Sequence, residues 1–262
     1  MDTQTKKELQ IFATKVRMGV IDGTYCAKAG HPGGSLSIAE VLTWLYTNEM
    51  NVDPKNPKNP GRDRLVLSKG HAAPALYSVM AQKGYFPVEE LKTLRKVDSR
   101  LQGHPSMNYL PGIDISSGSL GQGLSAAAGI ALGKKLDKEN EKVYVMLGDG
   151  ECEEGQVWEA AMFAVHQKID NLVALVDWNR QQIDGCVDNV AGLGNLDDGV
   201  RGDFQLHRVL LDFAYDAVDA AVCLGTPSLP MEHAAEAEYI PLNHTPLLPK
   251  ISLNLYRLNI SS

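Results

Sequence analysis

The stretch VYVMLGDGECEEGQVWEAAMFAVHQKIDNLVALVDWN, residues 143–179, decides the fold. Val143 to Leu147 is an unbroken apolar run of strand length, and Leu172 to Val176 is a second. Short apolar runs closed by Gly or Asn read as strands covered on both faces. Between them Val157, Ala161, Ala164 and Val165 line one face at helical spacing, which predicts a helix over 154–167. Strand, helix and strand without a hairpin signal form a βαβ unit and so a parallel sheet. A right-handed crossover puts both strand C-termini on one edge, where open α/β sheets bind their ligands. Asp149 and Asn179 each lie just past a strand end, so this topology brings them close.

Outward from this unit the chain reads as more α/β. Leu9, Phe12, Val16 and Val20 recur every three or four residues and predict a helix over the first 28 residues. The run Gly30-His31-Pro32-Gly33-Gly34 breaks it. Ser37 and Glu40 then make a capping-box pattern for a second helix lined by Ile38, Val41, Leu42 and Leu45. Pro and Asn crowd 51–64, a loop, before a short strand at Leu65-Val66-Leu67. Helices are expected from Pro74 and from Pro87, the latter with Glu89 and Glu90 in its first turn and Arg95 and Lys96 in its last. A Gly/Pro/Ser-rich tract over 100–123 opens into an Ala-rich helix over 124–136.

Composition limits the function classes. The 262 residues are 44% hydrophobic, enough for a core, and carry 25 Lys+Arg against 32 Asp+Glu, a net charge of -7. An acidic chain without a basic block argues against nucleic-acid binding. No apolar run reaches the roughly 20 residues that span a bilayer. The polar start MDTQTKKELQ carries no signal-peptide core. Four cysteines, Cys26, Cys152, Cys186 and Cys223, stand far apart, as in a reducing cytoplasm.

Three constellations carry chemistry. In Gly148-Asp149-Gly150 the glycines allow a sharp turn and close approach of a ligand, while Asp149 and Asn179 offer the hard oxygens that magnesium or calcium prefers. A carboxylate 4 Å from a phosphate charge repels it by roughly 4 kcal/mol at an effective dielectric of 20; a divalent cation between them reverses the sign. A bare Gly-Asp-Gly is also an ordinary surface turn; the Asn closing the next strand is what favours a site. Second, His31, His71 and His104 each follow a glycine in a loop, and three such imidazoles suit proton transfer to hydroxyls in one pocket. Any one alone reads as a surface histidine. Third, Gly118-Ser119-Leu120-Gly121-Gln122-Gly123 feeds a helix N-terminus that can hold an anion or cofactor edge, or pack closely as small residues do. The Gly-x-Gly-x-x-Ala inside it lacks the preceding strand of a dinucleotide fingerprint, so a nicotinamide-dependent oxidoreductase is disfavoured.

From about residue 8 to about 198 the chain resembles the N-terminal, diphosphate-binding part of transketolases, and by length the smaller subunit of split ones. The motifs are Gly30-His31-Pro32-Gly33, Ser68-Lys69-Gly70-His71-Ala72, Gly103-His104-Pro105, Gly118 to Gly123, Gly148-Asp149-Gly150 through Glu154-Gly155, and Asn179 through Ile183-Asp184-Gly185. The resemblance implies an α/β fold, a parallel sheet flanked by helices, that binds thiamine diphosphate (the PP domain). It also implies a divalent metal (Mg2+, or Ca2+ or Mn2+) on Asp149, Asn179 and the backbone carbonyl of Gln181. The diphosphate would lie on Gly150 and Asn179, and the aminopyrimidine and thiazolium beside Gly118, Ser119 and Leu120. His71 would contact cofactor and substrate, with His31 and His104 near the donor sugar. Glu154 would link the two cofactor sites of a dimer. The activity implied is transfer of a two-carbon ketol unit from a ketose phosphate to an aldose phosphate, with the thiazolium as electron sink.

In that family the glutamate that activates the aminopyrimidine lies on a separate pyrimidine-binding domain. The expectation is therefore a cytoplasmic chain that works only with a C-terminal partner subunit, in a heterotetramer. The alternatives are a subunit like deoxyxylulose-phosphate synthase and a degenerate, partner-binding copy. The three Gly-His pairs favour the transketolase branch. Past Asp198 the resemblance stops, so a domain over 1–198 and a divergent or frame-disrupted segment over 199–262 are expected, with a sheet that lacks edge strands.

Overall fold

The structure, a computed structural model, describes residues 2–193 and the strand at 207–209. In chain order the elements are α1 (Thr3–Ala27), α2 (Pro32–Leu36), α3 (Ala39–Trp44), β1 (Arg64–Leu67), α4 (Ala73–Lys83), α5 (Gln122–Leu136), β2 (Val143–Gly148), α6 (Gly155–His166), β3 (Leu172–Asp177), β4 (Gln181–Gln182), β5 (Gly185–Cys186), α7 (Val187–Ala191) and β6 (His207–Val209). The main sheet runs β1-β2-β3-β6 and every pairing in it is parallel. Helices cover both faces. On one, α1, α3 and α4 bury Val16, Val20, Leu42 and Met80 against Leu65, Leu67, Tyr144 and Met146. On the other, α5 and α6 bury Leu124, Ala128, Val157 and Ala161 against Val66, Val145, Leu147 and Val176. Strands enclosed on both faces need apolar residues at every position, which is why 143–147 and 172–176 show no alternation.

Among the described residues no strand pairs with the outer edge of β1, and a side chain closes it. Asp114 accepts a hydrogen bond from the Leu65 amide at 3.1 Å and is itself gripped by Arg62 at 2.6 Å. This occupies a backbone donor that an open strand would present to other chains. At the opposite side β6 pairs with β3 in the register Leu175↔His207, Val176↔Arg208 and Asp177↔Val209. This strand lies past the boundary expected at 198 and supplies the sheet with a strand from the tail. The rest of the tail falls outside the described residues.

Three other expectations need correction. Residues 30–34 are not simply a break: α2 starts at Pro32, with proline in the first turn where its missing N–H costs nothing. Ser37 ends α2, and its hydroxyl goes to Asp177 and to the Gly34 carbonyl, so no capping box forms with Glu40; Glu40 pairs with Arg17 instead. The helix expected from Pro87 is a 3-10 segment, Val88–Thr93, which stops before Arg95. Arg95 has φ 59, in the left-handed region, and so it sits beyond the helix end rather than in its last turn.

Candidate active site

The C-terminal edge of the sheet gathers the sequence's three constellations. After β2 the chain turns at Gly148-Asp149 into a 3-10 segment, Gly150–Glu153, and after β3 it reaches Asn179. The Asp149 amide donates to the Asp177 carbonyl at 3.2 Å, which locks the two strand ends together. The Asp149 carboxylate accepts from the Gly150 amide at 2.9 Å and from the Arg180 amide. Arg180 adopts φ 59, which turns the chain back so that its N–H meets that carboxylate. A Cβ on Gly150 would come within 2.9 Å of the Gln182 Cβ, so only glycine lets the two turns pass this closely. Asn179 donates to Asp177 at 2.9 Å through its amide nitrogen, and its oxygen accepts from the Gln181 amide at 2.9 Å. Thus Asp149, Asn179 and Gln181 stand on two touching turns.

The histidines converge above them. His31 precedes α2, and His71 lies in the 3-10 turn Gly70–Ala72 that follows β1. Their ring centroids are 5.3 Å apart, edge to face. The His104 ring packs on Gly118, where a Cβ would stand 3.0 Å from its Cγ. Gly70 in turn abuts the Gly118 amide, 2.7 Å from where a Cβ would be. Burial, then the charges of Lys69, His31 and His104, push the His71 pKa down to about 4. Burial and the Arg95 guanidinium lower His31 and His104 too. All three rings are therefore neutral bases at physiological pH. Leu120 and Ser119 are exposed on the same loop, and the exposed Glu154 backs onto Gly121.

Sequence reasoning passes over three residues that hold this edge together. Glu151, buried and 3% exposed, accepts from the Ser68 hydroxyl, from the Gly121 amide at 2.9 Å and from the Gly148 amide at 3.0 Å. One carboxylate thus ties the ends of β1 and β2 to the loop before α5. Lys69 is buried and pairs with Asp177 at 2.5 Å; Asp177 also accepts from Ser37 and Asn179. The signal for these residues lies in the motifs already singled out, as charged residues flanking glycines at strand ends. Arg95 reads from sequence only as a helix-end charge, yet its guanidinium lies over Gly103, 3.0 Å from where a Cβ would be, and lowers two of the histidines.

The residues fit a divalent cation with a diphosphate. Burial raises the Asp149 carboxyl pKa to about 6, against the partial relief of its two backbone N–H donors. Among the described residues no cationic side chain pairs with it, since the nearby Lys69 is bound to Asp177. A buried carboxylate left this way is stabilised by a metal ion, and all the candidate ligands are oxygens, as a hard cation requires.

Comparison with known proteins agrees with this geometry. The family described as transketolase, thiamine diphosphate binding domain, matches residues 9–196. The chain is 49% identical over 205 residues to the 6-deoxy-6-sulfo-D-fructose transketolase subunit of Clostridium sp. (strain MSTE9), covering 78% of this chain and 74% of that one. It is 45% identical over 190 residues to one of the apulose-4-phosphate transketolase subunits of Phocaeicola vulgatus, covering 72% and 67%. The transketolase structure from Campylobacter jejuni superposes with a TM-score of 0.69 at 35% identity, over 76% of this chain but only 32% of that one.

Proposed function

This chain belongs to the transketolase family through its thiamine diphosphate-binding domain, and on that premise we propose that it is the N-terminal subunit of a split transketolase. Its reaction is transfer of a two-carbon ketol unit from a ketose phosphate to an aldose phosphate. Asp149, Asn179 and the Gln181 carbonyl would hold a hard divalent cation, magnesium or calcium, through oxygen ligands alone. Gly150 and Asn179 receive the diphosphate, and Gly118, Ser119 and Leu120 flank the rings. When bound, thiamine diphosphate supplies the electron sink for cleavage of a carbon–carbon bond. The chain's own residues orient and neutralise. Asp149 with its cation offsets the diphosphate charge. His31, His71 and His104, as neutral imidazoles, accept and return hydroxyl protons of the sugar. Glu154, exposed at the start of α6, faces a partner that brings the pyrimidine-binding domain, in an assembly of two copies of each chain.

One observation carries this reading: a buried carboxylate without a cationic partner among the described residues, on the strand edge where three histidine-bearing loops meet. A nicotinamide enzyme has no use for it, and a degenerate partner-binding copy has no reason to keep its cost. The test is thermal unfolding with magnesium and thiamine diphosphate, each alone and together. The expected result is a rise in Tm only when both are present, abolished by a chelator. An identical Tm in all conditions, with the partner chain present as well as absent, overturns the proposal.

A further inference from the structure

We propose that Tyr77 is a positioning residue for His104 and fixes its place relative to His71. The proposal rests on the reading of both histidines as substrate-facing residues. Tyr77 is buried on α4, the helix that starts directly after the turn bearing His71. Its hydroxyl donates to the Gln102 carbonyl at 2.9 Å and to the His104 carbonyl at 3.1 Å. A phenol has one proton to give, so the two carbonyls share it and are drawn to one point. Gly103, the residue between them, leaves this turn room to close: a Cβ there would stand 3.0 Å from the Arg95 guanidinium.

The loop is pinned on either side of this point. The Arg95 amide donates to the carbonyl of the buried Leu101 at 2.9 Å, and the Ser117 amide donates to the Pro105 carbonyl at 3.2 Å. Between these anchors the Tyr77 hydroxyl holds the backbone of His104 itself. The His104 ring then lies against Gly118, where a Cβ would stand 3.1 Å from its Cδ2. One helix therefore serves both rings: His71 lies in the turn that opens into α4, and Tyr77, in its second turn, holds the loop of His104. That fixes the spacing of two imidazoles, which the hydroxyls of one sugar must match. Filling the core is not what the hydroxyl supplies, since a phenylalanine occupies the same space. Burial pushes the hydroxyl's pKa up, so it remains a donor.

Tyr77→Phe keeps the buried ring and removes the donor. The first arm uses the chain alone and needs neither cofactor nor partner, so its outcome is separate from that of the functional reading. By NMR the wild type is expected to show a nuclear Overhauser contact between the His104 ring and the Gly118 α-protons. Tyr77→Phe is expected to lose it while keeping the contact between the His31 and His71 rings. The second arm uses the enzyme assembled with its partner chain. There kcat/KM for the ketose phosphate is expected to fall about 5-fold, the weight of one hydrogen bond, with the Kd of thiamine diphosphate unchanged. On a His104→Ala background the same substitution is expected to cause no further fall, whereas a merely structural role would cause the same fall again. A third measurement needs no variant: the Tyr77 hydroxyl proton of the wild type is expected to exchange slowly with water and give a resolved resonance. A His104–Gly118 contact that survives in Tyr77→Phe overturns the proposal. So does an equal fall on both backgrounds, or a hydroxyl proton that exchanges as fast as that of an exposed tyrosine.

Discussion

Burial holds the Asp149 carboxyl at a pKa of about 6, against 3.8 for an ordinary aspartate. The folded chain therefore binds this proton more tightly than the unfolded chain. The contribution of this carboxyl to stability without a cation is fully present below pH 3.8 and is lost as pH rises through 6. Asp149→Asn removes that loss. At pH 7.5 the variant escapes a penalty of about 3 kcal/mol but turns its amide nitrogen onto one of the two backbone donors, so a net gain of roughly 1 kcal/mol over the wild type is expected. The gain narrows and reverses as pH falls to about 4, and the variant shows no stabilisation by magnesium with thiamine diphosphate. Urea melts across this pH range measure it; equal or lower stability of the variant at pH 7.5 contradicts it. Gly118 argues the point from geometry. With φ 142 and the His104 ring 3.0 Å from any Cβ, Gly118→Ala strains its own backbone and displaces the ring. A loss of thiamine diphosphate affinity of ~10-fold or more is expected by calorimetry, with the wild-type fold kept by circular dichroism. At this scale Asp149, Asn179 and the histidines are legible because glycines and strand ends mark them locally. Glu151 and Lys69 are not, because their partners lie 83 and 108 residues away.

At the scale of elements, α5 separates two kinds of glycine. Gly123 lies against the end of β1: a Cβ there would come within 2.7 Å of the Ser68 Cα. Gly129 and Gly133, further along the same helix, have nothing within 4 Å. Gly123→Ala is therefore expected to destabilise by roughly 1–3 kcal/mol through overpacking. Gly129→Ala and Gly133→Ala are each expected to stabilise by about 0.5–1 kcal/mol through helix propensity. Denaturant melts of the three variants check the contrast, and equal effects would refute it. Such a helix is read easily from sequence, since its small residues keep a helical spacing. The segment around Ser37 misleads because its local pattern matches a capping box while a distant carboxylate, Asp177, offers its hydroxyl a stronger acceptor. The segment after Pro87 misleads for the converse reason: its charges suit an α-helix, but Leu91 and Leu94 pack under α1 and the chain leaves the helical path.

At the scale of the whole molecule, the parallel sheet and its two helical layers follow from residues 143–179, because fully buried strands leave an apolar signature that needs no alignment. The tail does not, since three residues of β6 carry no pattern of their own and take their place from pairing with β3. The extent of similarity also bears on how the molecule works. The chain spans 74% of a split-transketolase subunit but 32% of a full-length transketolase. What it holds is the cation, diphosphate and histidine side of the proposed site. The glutamate that activates the aminopyrimidine belongs, by resemblance, to the other domain. Activity should therefore depend on association. The chain with thiamine diphosphate, magnesium and sugar phosphates is expected to turn over at background rate. Adding increasing amounts of a second chain that bears the pyrimidine-binding domain should raise the rate to a plateau at equal numbers of the two. The rate law discriminates further: at low protein concentration the activity should fall faster than in proportion to dilution, because each site needs both chains. Strong turnover by this chain alone would place the activating carboxylate within it and remove the need for a partner.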